Sequence, residues 1–497
     1  MSKRGRETEN TGGMKMGNIV ETNGGIGYVR GVSVLVASLR SVFSVTVVCM
    51  AMTMFPVLEA DGAEAVVGNP VSARIGHPVG DPHMIEWKGR LYLFAGHDFA
   101  PESKDYDLRD WWVWSTSDLL EWKLESVLKP EDTFLRRPSK SCWATFGVPF
   151  PDGWRYYFSA GPTEIGVVTA KTPAGPWNDP LGKPLVSKGE YKTAARDPDV
   201  LLDDDGSAYI VFGTFKYFIA KLGADGLSLA EKARPVEIKG EFGPYGHGKT
   251  DDKPSLHKRG GLYYLSWSSF YAVSENVYGP YRYRGSVIDA AYVAPKFRRD
   301  RIELHYDRHG NFFQFNGQWY YVANDYSQPG QTRFFRDAVM GYVHYRENGD
   351  IAPVRIDEVG VGQYDASRGE IEAEDFFAVR GAEVGECPVG GFELRMGDGS
   401  AVRYPHIRNV PENATLKISL WCKAGGTLEF REGKPDGRIL GSVNVKRGHP
   451  GHFRKLSAKL QNAPGTLDLW IVAKGGGAEL CRLDWFAFNL ENKEKRK

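Results

Sequence analysis

The sequence predicts an all-β chain, a five-bladed β-propeller followed by a β-sandwich of jelly-roll type. Three observations carry this. A strand–turn–strand unit recurs five times, starting at residues 81, 143, 197, 252 and 309, so the copies lie 54 to 62 residues apart. A near-constant period of strand-rich units means a radial or solenoid array. Each unit has room for four short strands, which is one propeller blade, and inner strands of such blades bring their first residues to one axis. After about residue 360 the period stops and shorter alternating strands with Gly-rich turns take over, the pattern of an antiparallel sandwich.

The clearest copy begins at Asp197-Pro198, runs through an apolar stretch, breaks at Asp203-Asp204-Asp205-Gly206 and resumes as Ser207 to Phe212. That is a β-hairpin. Asp is a poor strand residue and Pro forfeits a ladder hydrogen bond, so an acid at that point suggests a task. Asp81-Pro82 leads through Lys88-Gly89 into Leu91 to Phe94, and Asp252-Lys253-Pro254 through Gly260-Gly261 into Tyr263 to Ser266. The fifth copy starts at His309-Gly310 and turns at Asn316-Gly317, while the second, from Trp143, has no acid at its head. Three of five units therefore offer a carboxylate to one axis.

Ahead of the repeats, Lys3, Arg4, Arg6, Lys15 and Arg30 precede an apolar stretch that ends in an uncharged run from Ser41 to Leu58, with Ala63-Glu64-Ala65 after it. Residues 1–65 read as a signal peptide with a long n-region, which predicts a secreted, periplasmic or cell-surface protein. An uncleaved anchor is the rival reading; Pro56 and the small-residue site favour cleavage, leaving no membrane segment afterwards. The propeller is expected over 75–360 and the sandwich over 370–490, joined by a linker at 367–369. Charge is balanced, with 63 basic against 62 acidic residues, so nothing points to nucleic acid. Aromatic residues make up 13% of the chain, mostly core but also the material of sugar-stacking clefts. Beyond Cys49, the cysteines Cys142, Cys387, Cys422 and Cys481 show no CxxC spacing and hence no zinc pattern. A Cys422–Cys481 disulfide and buried free thiols both stay open.

Six motifs in order, DPHMIEWKGRLYLFAGHD, DWWVWSTSDLLEW, CWATFGVPFPDGWRYYFSA, RDPDVLLDDDGSAYIVFG, KPSLHKRGGLYYLSWS and RHGNFFQFNGQWYYV, give the region 75–360 its resemblance to glycoside hydrolase family 43. The tail resembles a family 6 carbohydrate-binding module through Ile371 to Asp375 and Leu483 to Phe486. The first resemblance implies an inverting hydrolase of a polysaccharide or oligosaccharide, of arabinofuranosidase, xylosidase or galactosidase type, with no cofactor in the chemistry. By motif position Asp81 would be the general base, Asp252 the general acid and Asp197 the residue that tunes and orients the acid. Inversion sets the two working carboxyls about 6.5–9.5 Å apart to admit a water.

The third position departs from the family, which carries Glu in a Glu-X-Pro motif where this chain has Asp252-Lys253-Pro254. Three readings follow: a reshaped pit with Asp252 still the acid, donation by Asp251 or His257, or a protein that only binds glycan. The first is favoured because Asp81 and Asp197 stand intact. A hydrolase of an unusual sugar, such as a marine galactan unit, and a non-catalytic glycan-binding protein are the alternatives. The resemblance further implies that His309 helps hold a central calcium, against a core histidine, and that Arg336 approaches the substrate. His97 and Asp98 are expected at the rim and Trp143 as a sugar platform, against a packed blade residue. Glu372, Glu374 and Asp484 match a structural calcium site of the sandwich module, since clustered acids need a cation or solvent to offset their repulsion.

Overall fold

The computed structural model describes residues 66–240, 250–298, 304–327, 332–449, 451–475 and 477–489. The expected signal segment, residues 1–65, lies outside them.

Five antiparallel sheets follow one another along the chain. The first blade holds Gly80–Trp87, Arg90–Asp98, Leu108–Thr116 and Lys123–Leu128. The second holds Cys142–Phe150, Gly153–Ala160, Glu164–Ala170 and Val186–Ser187, and the third Asp199–Leu202, Ala208–Phe212, Phe218–Lys221 and Arg234–Pro235. In the fourth, Ser255–Arg259, Leu262–Trp267, Phe270–Ser274 and Tyr281–Ser286 gain a parallel edge strand, Ile238–Lys239. The fifth has Gly310–Phe315, Gln318–Asp325 and Asp337–Tyr342. Its outer flank is covered by residues 69–79: Val71 N–H donates to Ala338 O, Val79 N–H to Arg336 O, and the Asn69 amide brackets the Met340 backbone. That strap joins the first residues of the propeller to its last blade.

Local sequence explains the hairpins. Trp87 pairs with Arg90 and Phe315 with Gln318, so Lys88-Gly89 and Asn316-Gly317 are two-residue loops. All four turn residues have φ between 51° and 83°, the mirror-image turn whose twist matches the strands it joins. Apolar cores lie between neighbouring blades. Phe146, Tyr157 and Ile165 meet Val200, Ile210 and Phe212; Leu91 and Leu93 meet Phe313, Val322 and Met340, which closes the ring.

The C-terminal unit is a ten-stranded sheet wrapped nearly closed on an apolar core, consistent with the expected sandwich. It starts earlier than expected. Tyr364–Asp365 already pairs with the long strand Phe392–Arg408, and Ala366–Arg368 forms a 3₁₀ turn where a linker was expected. The four described cysteines are buried free thiols. Cys422 and Cys481 do face each other in register, but the Cys422 thiol donates to Leu480 O. Polar contacts tie the sandwich to the fifth blade: Gln318 donates to Glu374 O, and Asp375 accepts from Arg355 and from His344 at 2.8 Å. Among the described residues no helix is long and apolar enough to cross a membrane.

Candidate active site

Where the inner strands begin, the backbone adopts an uncommon conformation. Asp81, Asp197 and Lys253, each followed by proline, have φ of 51°, 58° and 45°. A non-glycine residue held there costs on the order of 1–3 kcal/mol and persists when neighbours over-determine it. The neighbours are the adjoining blades. Asp81 N–H donates to Asn324 Oδ1, Asp197 N–H to Ser159 Oγ, and Lys253 N–H to Asp197 Oδ2. The fourth blade therefore fills this slot with Lys253, and Asp252 precedes it by one residue. The displacement changes exposure: the side chains of Asp81 and Asp197 are each 7% exposed, that of Asp252 25%.

These acids line one pit of about 100 Å³ with Tyr106, Trp143, Arg196, Asp307, His309, Arg333 and Arg336. Asp81 is gripped from two sides. Its Oδ1 accepts from His309 Nδ1 at 2.8 Å and Asn324 Nδ2 at 3.1 Å, and its Oδ2 lies 2.9 Å from Arg336 Nη1. Burial by itself would raise its pKa, but Arg336 and His309 hold it well below the usual carboxylate range. Asp197 behaves oppositely. Burial, only partly offset by Arg196, pushes it up to about 6, and the charges of Asp252 and Asp81 add to the rise. For His309, burial opposes protonation but is outweighed by Asp81, Asp251 and Asp307, which raise it to about 10. Asp307 is raised by burial and by Asp251 and Asp252. Asp81 is thus held ionised, as a general base requires, while its neighbour Asp197 is biased to keep a proton.

The pit gathers Asp81, Asp197, Asp252, Trp143, His309 and Arg336 as the sequence led one to expect. It does not include His97 or Asp98. Asp98 is fully buried and spends both oxygens on Arg336, accepting from Nε and Nη2 at 2.9 Å each, so it orients that arginine and is closed to a sugar. His97 stacks on Trp112 with centroids 3.9 Å apart and faces Asp110. His257, the other proton donor considered, is buried against Tyr264 and Tyr345, with burial lowering it to about 3. Asp251 lies behind the pit, where Ser268 donates to it. Sequence reasoning missed Arg196, Tyr106, Asp307 and Arg333. Arg196 and Asp307 were discoverable as neighbours of Asp197 and His309; Tyr106 carried no signal.

Among the described residues, Asp251, Asp307 and His309 are the trio whose side-chain ligand atoms all lie within 4.8 Å of one another. His309 Nε2 is buried without a hydrogen-bond partner while Nδ1 is fixed by Asp81, an orientation that suits a metal-binding imidazole. Glu372, Glu374 and Asp484 share a different cleft, between the fifth blade and the sandwich, of about 470 Å³. Burial raises all three, Glu372 to about 7; the charge of Asp375 adds to the rise of Glu372 and Glu374, those of Glu370 and Glu393 to that of Asp484, and Glu374 Oε2 is buried without a partner.

Residues 67–351 match the family model described as glycosyl hydrolases family 43. The chain belongs to that family. Residues 372–490 match the family 6 carbohydrate binding module. An arabinoxylan arabinofuranohydrolase of Paenibacillus polymyxa is 25% identical, over 88% of this chain and 78% of its own length. Another, of Bacillus subtilis, is 24% identical over 87% and 96%. The crystal structure of a family 43 arabinoxylan arabinofuranohydrolase from Bacillus subtilis, in complex with cellotetraose, covers 86% of this chain and 98% of that one, with a TM-score of 0.50 and 21% identity. The family 43 chain is therefore an inverting glycoside hydrolase with an appended carbohydrate-binding module.

Proposed function

We propose that this hydrolase removes single α-L-arabinofuranosyl residues from a xylan-type polysaccharide. The observation that carries the reading is the one small pit, about 100 Å³, that Asp81, Asp197 and Asp252 share. A space this small favours release of a single terminal or branching unit. Relatives that span both domains are arabinoxylan arabinofuranohydrolases.

In this reading a water lies against Asp81. Its oxygen forms a bond to the anomeric carbon as its proton passes to Asp81, while the glycosidic bond breaks and the leaving oxygen takes a proton from Asp252. Asp81 is suited to the base because Arg336 and His309 keep it ionised. Asp197 modulates Asp252 through their shared neighbour Arg196. Trp143 and Tyr106 offer ring surface to the sugar, and Arg336 lies at the pit wall.

Calcium fits one place by geometry: Asp251, Asp307 and His309 would hold an ion at the pit, where it would offset the crowded carboxylates. Glu372, Glu374 and Asp484 line a common cleft without their ligand atoms being gathered as closely, and a cation there would offset their charge. The leader composition supports export.

The test is incubation of purified enzyme with arabinoxylan, separating released arabinose from xylose and following the anomer first formed by NMR. Arabinose released with inverted configuration supports the reading. Xylose alone, or xylo-oligosaccharides, sinks the proposed sugar.

A further inference from the structure

We propose that Arg196 is a positioning residue that enables an aspartate to act as the acid at position 252. The proposal rests on the assignment of Asp252 as proton donor. Asp252 is one methylene shorter than the Glu of the family motif, and it stands just before the conformational slot that fixes Asp81 and Asp197. Such a side chain needs another group to set its direction. Arg196 supplies one, with Nη2 2.5 Å from Asp252 Oδ2.

The guanidinium is itself fixed. Its Nε donates to Thr214 Oγ1 at 2.7 Å and lies 3.4 Å from Asp197 Oδ2. The Trp143 ring flanks it, centroid 5.4 Å from the central carbon. Thr214 is anchored in turn, its N–H donating to Thr193 Oγ1. Holding Oδ2 leaves Oδ1, which has no protein partner among the described residues, for the glycosidic oxygen.

The charge also acts at the right moment. As the proton leaves, negative charge grows on Asp252 beside a guanidinium already in place, so the pairing is stronger after transfer than before it. A salt bridge serving only stability would show no such dependence on proton transfer.

Leaving-group dependence separates these roles. A dinitrophenyl leaving group departs without protonation, whereas a methyl or sugar leaving group needs the acid. The enzyme and its Arg196→Ala, Arg196→Gln, Arg196→Lys and Asp252→Asn variants are compared on dinitrophenyl, nitrophenyl and methyl α-L-arabinofuranosides. For Arg196→Ala, kcat on the methyl glycoside is expected to fall about 10²-fold, with a loss of no more than about threefold on the dinitrophenyl glycoside. Arg196→Lys should recover part of the difference.

Equal losses across leaving groups, or none, in a folded Arg196→Ala or Arg196→Gln enzyme would overturn the proposal. If Asp252→Asn also gives a flat series, the acid assignment itself falls. A steep series for Asp252→Asn with a flat one for Arg196→Ala removes only the role of Arg196.

Discussion

Arg336 Nη1 lies 2.9 Å from Asp81 Oδ2, while Nε and Nη2 of the same guanidinium hold the buried Asp98. One planar cation therefore fixes a carboxylate in the pit by gripping another carboxylate behind it. Lysine has a single charged nitrogen and cannot keep both geometries. Arg336→Lys should lower kcat about 10- to 100-fold on arabinofuranosides, as positional errors near the reacting atoms do. Arg336→Ala leaves Asp98 buried and unpaired, and should cost roughly 3–5 kcal/mol in chemical denaturation. Wild-type turnover by Arg336→Lys would show that the fork is dispensable.

Asp199 gives a pH-dependent stability. It is fully buried on the inner strand of the third blade, with Oδ1 accepting from Leu256 N–H and Oδ2 lacking a partner. Burial raises its pKa from 3.8 to about 7. The folded state thus binds the proton more tightly than the unfolded state, and this group's contribution falls as pH rises from about 4 through about 7. Asp199→Asn keeps the Leu256 bond without the ionisation. Unfolding free energies measured at about pH 5 and pH 8 should show a smaller decline for the variant, by on the order of 3 kcal/mol. Parallel profiles would refute this.

The sandwich acids predict a calcium response. Burial and like charge raise Glu372, Glu374 and Asp484, so without a cation their ionisation destabilises the fold as pH passes neutrality. Calcium at about 100 times its dissociation constant should add about 2.7 kcal/mol. Melting temperature should rise more at about pH 8 than at about pH 5, where protons compete. In Glu374→Gln the rise should shrink; an unchanged rise would place the ion elsewhere.

Asp375 couples the two domains. It is buried and accepts from Arg355 and His344, and both hold it below the ordinary carboxylate range despite burial. Asp375→Ala removes the acceptor of the half-exposed Arg355 and of His344, and should cost about 1–3 kcal/mol. Calorimetry should also resolve two transitions where the wild type shows one. A single unshifted transition would mean that the apolar contacts alone join the domains.

The repeat was legible because a blade is a local object. Lys88-Gly89 and Asn316-Gly317 are turn signals in the chain itself, and alternating apolar residues name the strands. Asp81 and Asp197 were readable for the same reason, each heading an inner strand before a proline. Asp98 was misread because adjacency to His97 says nothing about direction: its side chain turns inward to Arg336, 238 residues away. Tyr106 lay beyond reach, being brought to the pit by a loop of irregular path.

By itself, then, the order of residues determined a ring of five sheets, an appended β domain and three acids near one axis, since periodicity and turn chemistry are properties of neighbours along the chain. Only the folded chain decided which side chain occupies the fourth slot, what Arg196 touches, and which carboxyl keeps its proton. Those outcomes depend on distances between blades and on exclusion of water, and both arise when the ring closes.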